Sequence, residues 1–179
     1  SGMMFERITY NDGLTVCVIR TTVVGGDDLT VARFATSYDN ANFTISNSLG
    51  VTSFSKPRYI NGYWFVGAET VTENNAIIYR SKYGFDWEKI TFAVSAATPT
   101  AYTPYVAIRD FIEQYGVIKA IGYAVPAGGG DAGDLLVVTS DDLFETATVE
   151  TFDTAIDHTE IGNSVQHHDN IVIGGNAGL

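Results

Sequence analysis

Three stretches decide how this chain folds: Ser37-Tyr38-Asp39-Asn40-Ala41-Asn42-Phe43, Ser81-Lys82-Tyr83-Gly84-Phe85-Asp86-Trp87 and Ser140-Asp141-Asp142-Leu143-Phe144-Glu145-Thr146. They share the frame Ser-x-Asp-Gly/Asn-x-x-aromatic, which the first copy keeps and the second and third break at different places. Tyr83 stands for the aspartate in the second, while Leu143 and Thr146 stand for the turn residue and the aromatic in the third. An aspartate or serine side chain accepts N–H bonds from the backbone just ahead of it and closes a turn. Asparagine or glycine permits the left-handed residue. The aromatic returns to the core and fastens the hairpin between two strands. An apolar segment precedes each copy, at 29–36, 76–80 and 135–139, and a shorter one follows it, at 44–45, 89–92 and 147–149.

A second element recurs ahead of each frame. A tight turn leads into an apolar run in Asn11-Asp12-Gly13-Leu14-Thr15-Val16, in Asn61-Gly62-Tyr63-Trp64-Phe65-Val66, in Gln114-Tyr115-Gly116-Val117-Ile118-Lys119 and in His168-Asp169-Asn170-Ile171-Val172-Ile173. Aligning Gly13, Gly62, Gly116 and Asn170 gives intervals of 49, 54 and 54 residues. Asp-Gly and Asn-Gly supply the positive φ that a two-residue hairpin demands. The repeat unit is then four strands, at ~40–50 residues the size of a propeller blade. The predicted organisation is one repeat domain over 1–179, with repeats at roughly 5–48, 54–94, 104–152 and an incomplete one at 158–179. The third carries an insertion at 125–134 between its second and third strands, where a loop can lengthen without disturbing a sheet.

The apolar runs are short, rich in Val, Ile, Thr, Tyr and Phe, and bounded by Gly, Asn, Asp and Ser, which is the pattern of strands. Several are apolar at successive positions: Tyr63-Trp64-Phe65-Val66, Ala76-Ile77-Ile78-Tyr79 and Leu135-Leu136-Val137-Val138. Such strands are buried on both faces, as strands stacked between neighbouring blades would be. Only the segment 106–113 offers a helical reading, and it reads equally as strand.

The frame resembles the Asp-box, or BNR repeat, of sialidase-like β-propellers, of the kind also found in bacteriophage tail and prophage surface proteins. The resemblance covers three frames and four hairpin starts. It implies an all-β, propeller-like array of four-stranded antiparallel blades, about three and a half in number; either the chain is a truncated piece, or the last blade is completed by another chain, or the blades stack as an open array. It implies structural, non-catalytic roles for Ser37, Asp39, Asn40, Phe43, Ser81, Gly84, Trp87, Ser140 and Asp142. Sialidases of this fold use an arginine cluster, a tyrosine nucleophile with a glutamate, and an aspartate acid/base. The six arginines here, Arg7, Arg20, Arg33, Arg58, Arg80 and Arg109, are spread along the chain with no such motif beside them. The function implied is a non-enzymatic structural or receptor- and glycan-binding component of a phage or prophage tail, on a virion or an extracellular surface, with other protein chains and a glycan as partners. The alternatives are a glycan-active hydrolase or carbohydrate-binding module, and a propeller-type assembly factor.

Composition narrows the field further. The 179 residues carry a formal charge of −11, and 45% are apolar. Nucleic-acid binding, which needs clustered Lys and Arg, is excluded as an expectation. No 18-residue apolar run marks a membrane span, and no basic-then-apolar leader opens the chain. Ser1-Gly2 reads as a tag remnant. The one cysteine, Cys17, lies in an apolar strand pattern and reads as a small buried hydrophobe. His158, Glu160, His167, His168 and Asp169 match no metal-ligand spacing. Asp131, Asp134, Asp141 and Asp142 lack a calcium-loop pattern, so no metal and no cofactor is expected. Gly128-Gly129-Gly130 lacks the Lys-Ser/Thr of a phosphate loop. No catalytic residue is assigned. Tyr63, Tyr102, Tyr105 and Tyr115, together with Tyr59, lie near turns and are candidates for stacking on sugar rings; the alternative is packing within and between blades.

Overall fold

The computed structural model describes residues 2–22, 30–47, 49, 51, 53–70, 74–94, 102–126, 132–157, 164–167 and 170–173. No helix occurs among them, and the segment 106–113 is the middle of a long strand. The first blade is a four-stranded antiparallel sheet in sequence order: β1 (Gly2–Asn11), β2 (Leu14–Thr22), β3 (Thr30–Ser37) and β4 (Thr44–Ile45). In the second, two short strands, β5 (Ser53–Phe54) and β6 (Arg58–Ile60), both pair with β7 (Tyr63–Thr70), which is followed by β8 (Asn75–Ser81) and β9 (Glu88–Ala93). The third comprises β10 (Tyr102–Gln114), β11 (Val117–Pro126), β12 (Ala132–Ser140) and β13 (Thr148–Asp157). A hairpin of β14 (Ser164–His167) and β15 (Asn170–Ile173) follows. The architecture is all-β and propeller-like.

The hairpin turns follow from the residues in them. Asp12-Gly13 (φ 46° and 79°), Asn61-Gly62 (51° and 83°) and Tyr115-Gly116 (53° and 82°) all have both central residues left-handed, the geometry that matches the twist of the flanking strands. Tyrosine is an unusual residue for that region. Its turn is helped by the Glu113 carboxylate, which accepts the Gly116 N–H at 2.6 Å. In the last hairpin His167 pairs with Asn170. Asn170 therefore opens a strand, rather than standing in a turn as Gly116, with which it aligns, does.

Each serine-led frame is a bend joining the third and fourth strands of its blade. The fourth position is left-handed in all three: Asn40 (φ 59°), Gly84 (77°) and Leu143 (62°). Asp39 accepts the Ser37 hydroxyl at 3.0 Å and the N–H groups of Ala41 and Asn42 at 2.9 and 2.8 Å. Those bonds, Asn42's first, hold its carboxyl well below the usual range. Asp142 accepts the Ser140 hydroxyl at 2.7 Å and both the hydroxyl and N–H of Thr146. The second bend has no aspartate. There the Ser81 hydroxyl accepts the Gly84 N–H at 2.8 Å, and the Gly84 carbonyl accepts the indole N–H of Trp87 and the Thr36 hydroxyl of the first blade. Phe43 packs back onto its own sheet, whereas Trp87 reaches the first blade, its ring centroid 4.1 Å from that of Phe34. In the third bend the work passes to Phe144, which is fully buried against Phe65, Phe92 and Phe111.

Strand periodicity explains the successive apolar positions. Val66, Ala68, Ile77 and Tyr79 of the second blade face Val18, Ala32 and Phe34 of the first. The alternate residues Phe65, Ala76 and Ile78 face Val106, Ile108 and Phe111 of the third. Both faces of the second blade are thus core. The third differs: Leu136 and Val138 are buried, whereas Leu135 and Val137 are only half-buried, so β12 does not show the two-sided burial its sequence predicts. The second and third blades are joined by backbone as well, with Val106 paired to Thr70 and Ala107 to Glu69. The two form one nine-stranded sheet. Their approach is close. A Cβ on Gly67 would lie 2.3 Å from the Ile108 side chain, and one on Gly122, inside the third blade, 1.8 Å from the Ala107 carbonyl oxygen.

Candidate functional site at the junction of the second and third blades

Antiparallel order sorts the chain into two ends. The β1–β2, β6–β7 and β10–β11 turns and the three bends lie at one end of the blades. The end of β7 and the starts of β10 and β12 lie at the other. At that second end a polar cluster sits where the two sheets join. It contains Glu69 of β7, Tyr105 and Arg109 of β10, and Tyr123 of β11.

A β-bulge creates the cluster. The β10–β11 register shifts between Ile108 and Asp110. Val106 and Ile108 before the shift, and Phe111 after it, enter the same apolar core, so the extra residue leaves Arg109 and Asp110 as two successive charges inside an apolar strand. Arg109 donates to Tyr123 Oη at 2.7 Å, lies 2.8 Å from Glu69 Oε2, and stacks over the Tyr123 ring at 5.2 Å. Tyr105 donates its hydroxyl to Glu69 Oε1 at 3.3 Å and receives the Tyr123 hydroxyl at 3.4 Å. Glu69 and Arg109 keep 15% and 18% of their side chains exposed. Tyr123 is fully enclosed, and that burial pushes its phenol well above the ordinary tyrosine range. It therefore serves as a neutral donor and packing ring. Tyr105, Glu69 and Arg109 are the members of the cluster that a ligand can reach.

Asp110 has a different fate. It is 2% exposed and holds Arg58 of β6 with two bonds, Nε to Oδ1 at 2.7 Å and Nη2 to Oδ2 at 2.9 Å, while Oδ1 also accepts the Phe111 N–H. The hydrogen bond to Asp110 raises the Arg58 guanidinium above its ordinary range. This two-pronged pair clamps β6 of the second blade to β10 of the third.

The tyrosines picked from the sequence do not form one surface. Tyr105 belongs to the cluster. Tyr63 is half-buried at the other end, stacked under the Arg80 guanidinium at 5.8 Å. Tyr115 stands on a turn tip, 81% exposed. Tyr102 opens β10, but its side chain lies outside the described residues, as do the metal-ligand candidates His158, Glu160, His168 and Asp169, the side chain of His167, and Asp131 with the glycine run. Among the described residues no group of three or more His, Cys, Asp or Glu is placed to hold a metal. Sequence reading missed Glu69, Arg109 and Tyr123. The signal was present in the charged pair Arg109-Asp110 interrupting an otherwise apolar strand.

No family model and no curated protein matches the chain. Its backbone is similar to two solved enzymes. The sucrose-6-phosphate hydrolase from Lactobacillus gasseri aligns with a TM-score of 0.57 and 14% identity, over 89% of this chain and 36% of that one. A GH32 beta-fructofuranosidase from Bombyx mori aligns with a TM-score of 0.50 and 16% identity, over 92% and 40%. At such identity the likeness is one of fold, and it places the chain among propeller-type structures. The chain spans about two fifths of the length of these enzymes. They overturn the expectation of a non-enzymatic phage or prophage tail component, because the solved propellers it resembles are sugar hydrolases. The physical reason is plain. A serine-led bend pins a hairpin wherever a blade needs one, so it carries no information about where the blade is used.

Proposed function

We propose that this chain is the propeller portion of a glycan-active hydrolase, with Glu69 as the carboxylate at the reacting bond. The observation that carries the proposal is the Glu69–Arg109–Tyr105 constellation, built on paired strands at the blade junction. Retaining glycoside hydrolysis needs a carboxylate held rigidly beside the anomeric carbon as nucleophile and a second group that protonates the leaving oxygen. Glu69 is fixed from two sides: Arg109 holds Oε2 and the Tyr105 hydroxyl holds Oε1. As Glu69 bonds the anomeric carbon and the glycosidic C–O bond breaks, the Tyr105 O–H gives its proton to the leaving oxygen; water then displaces Glu69 from the sugar and returns a proton to Tyr105. The substrates of the two similar enzymes suggest small fructosides as the first compounds to try. The three bends fit the Asp-box reading as structural hairpin pins, remote from this chemistry.

The test is product release from sucrose, inulin and a panel of neutral oligosaccharides. Release that falls at least a hundredfold in Glu69→Gln, with circular dichroism and melting unchanged, supports the proposal. Equal turnover in wild type and Glu69→Gln overturns the role of Glu69. No turnover of any sugar overturns the hydrolase.

A further inference from the structure

A second place on the molecule has the chemistry of a saccharide contact, at the opposite end of the blades from Glu69. Where the first and second blades meet, Tyr38, Tyr59 and Tyr83 border a shallow cleft of roughly 120 Å³, with the buried Trp64 behind them and Asp12 and Lys82 at its edge. The three rings are 68%, 40% and 63% exposed. Exposed tyrosines are individually ordinary. These three converge, and each is held by a neighbour: Tyr38 against Phe85 at 5.4 Å, Tyr59 against Trp64 at 5.1 Å, and Tyr83 under the Lys82 ammonium at 5.5 Å.

We infer that this cleft is a carbohydrate-binding subsite for a neutral glycan chain. Rings that are fixed before binding lose little entropy when a ligand stacks on them. Tyrosine offers an apolar face to the C–H face of a pyranose or furanose and a hydroxyl to its rim. Asp12 and Lys82 add an acceptor and a set of donors. Their charges cancel locally, and the chain as a whole carries −11, which disfavours acidic glycans. The volume falls below the ~300–1,000 Å³ of pockets that enclose a ligand, so the cleft suits one or two rings of a longer chain passing over it. The inference rests on the glycan reading above for its ligand class, but not on Glu69 acting in catalysis.

Affinity electrophoresis through gels containing inulin, levan, dextran or soluble β-glucan tests it. Retardation by at least one of these polymers is expected. The double variant Tyr38→Ala, Tyr83→Ala should weaken that binding at least tenfold, with unchanged circular dichroism. Tyr115→Asn, which alters a still more exposed tyrosine outside the cleft and tolerates its left-handed backbone, should bind as wild type. No retardation by any polymer overturns the subsite, as does equal retardation of the double variant. A fall in oligomeric mass in the double variant, without loss of polymer binding, would assign the cleft to protein contact and overturn it too. Binding that survives in Glu69→Gln, together with absent turnover, would sink the hydrolase and leave the subsite standing.

Discussion

Arg80, on β8 of the second blade, donates from Nη1 to the carbonyl oxygen of Leu143 in the bend of the third, at 2.8 Å. Leu143 is a branched residue in left-handed backbone (φ 62°), so the arginine secures a conformation the side chain alone would resist. The same guanidinium reaches Glu88 and Glu145 at 2.6 and 2.7 Å. Replacing Arg80 with methionine keeps the apolar stem and removes all three interactions. A loss of about 2–3 kcal/mol is expected, read from the urea midpoint. Glu88→Gln should cost less than ~1 kcal/mol, since Glu88 is largely exposed.

Phe144 stands where the frame alone would not put its aromatic. It is 1% exposed and contacts three phenylalanines from two blades. Phe144→Ala should destabilise by about 3–5 kcal/mol in calorimetry or urea titration. Restoring the frame's aromatic by Thr146→Trp should not rescue it, because position 146 is exposed and its backbone N–H is bound to Asp142.

Two glycines are constrained for different reasons, and alanine separates them. Gly122 has no room, since an added Cβ would lie 1.8 Å from a backbone oxygen. Gly122→Ala should cost ~3 kcal/mol or more, seen as loss of the cooperative unfolding transition or a lowered melting temperature. Gly116 has open space but φ 82°. Gly116→Ala should cost only about 1 kcal/mol.

The third bend predicts an acid limb of stability. Asp142 is lowered to about 2, first by the Thr146 hydroxyl, then by the Thr146 N–H and the Ser140 hydroxyl. A depressed carboxyl stabilises the folded state fully above its unfolded value near 4, and the contribution fades as pH falls through the folded value. The melting-temperature difference between wild type and Asp142→Asn should therefore be constant above about pH 5 and shrink between about pH 4 and 2. A difference that persists undiminished at pH 2 would show that the asparagine disturbs the bend for some other reason.

The turns were the most legible part of the sequence, because Asp-Gly and Asn-Gly leave the backbone little choice and both adopt the left-handed pair. The strands of the second blade were legible too, since four apolar residues in a row have few places to go except between two sheets. The polar cluster was not. Glu69, Arg109 and Tyr123 come from three strands, and a bulge that no local pattern announces turns Arg109 and Asp110 to different partners. The grouping of tyrosines was misleading for a related reason. Proximity to a turn says that a ring is near an end of a blade, but not which end, so Tyr63 and Tyr105 finish far apart in the topology while Tyr38, Tyr59 and Tyr83 meet.

The pairing of Val106 with Thr70 and of Ala107 with Glu69 constrains how such a chain could have grown by duplication. Among the described residues no backbone ladder ties the first blade to the second, so a unit spliced in at that boundary need only present a compatible apolar surface. Between the second and third, an inserted unit would have to cut a continuous sheet and dismantle the Glu69 cluster with it. Those two blades are therefore the pair that recombination would be expected to move as one piece.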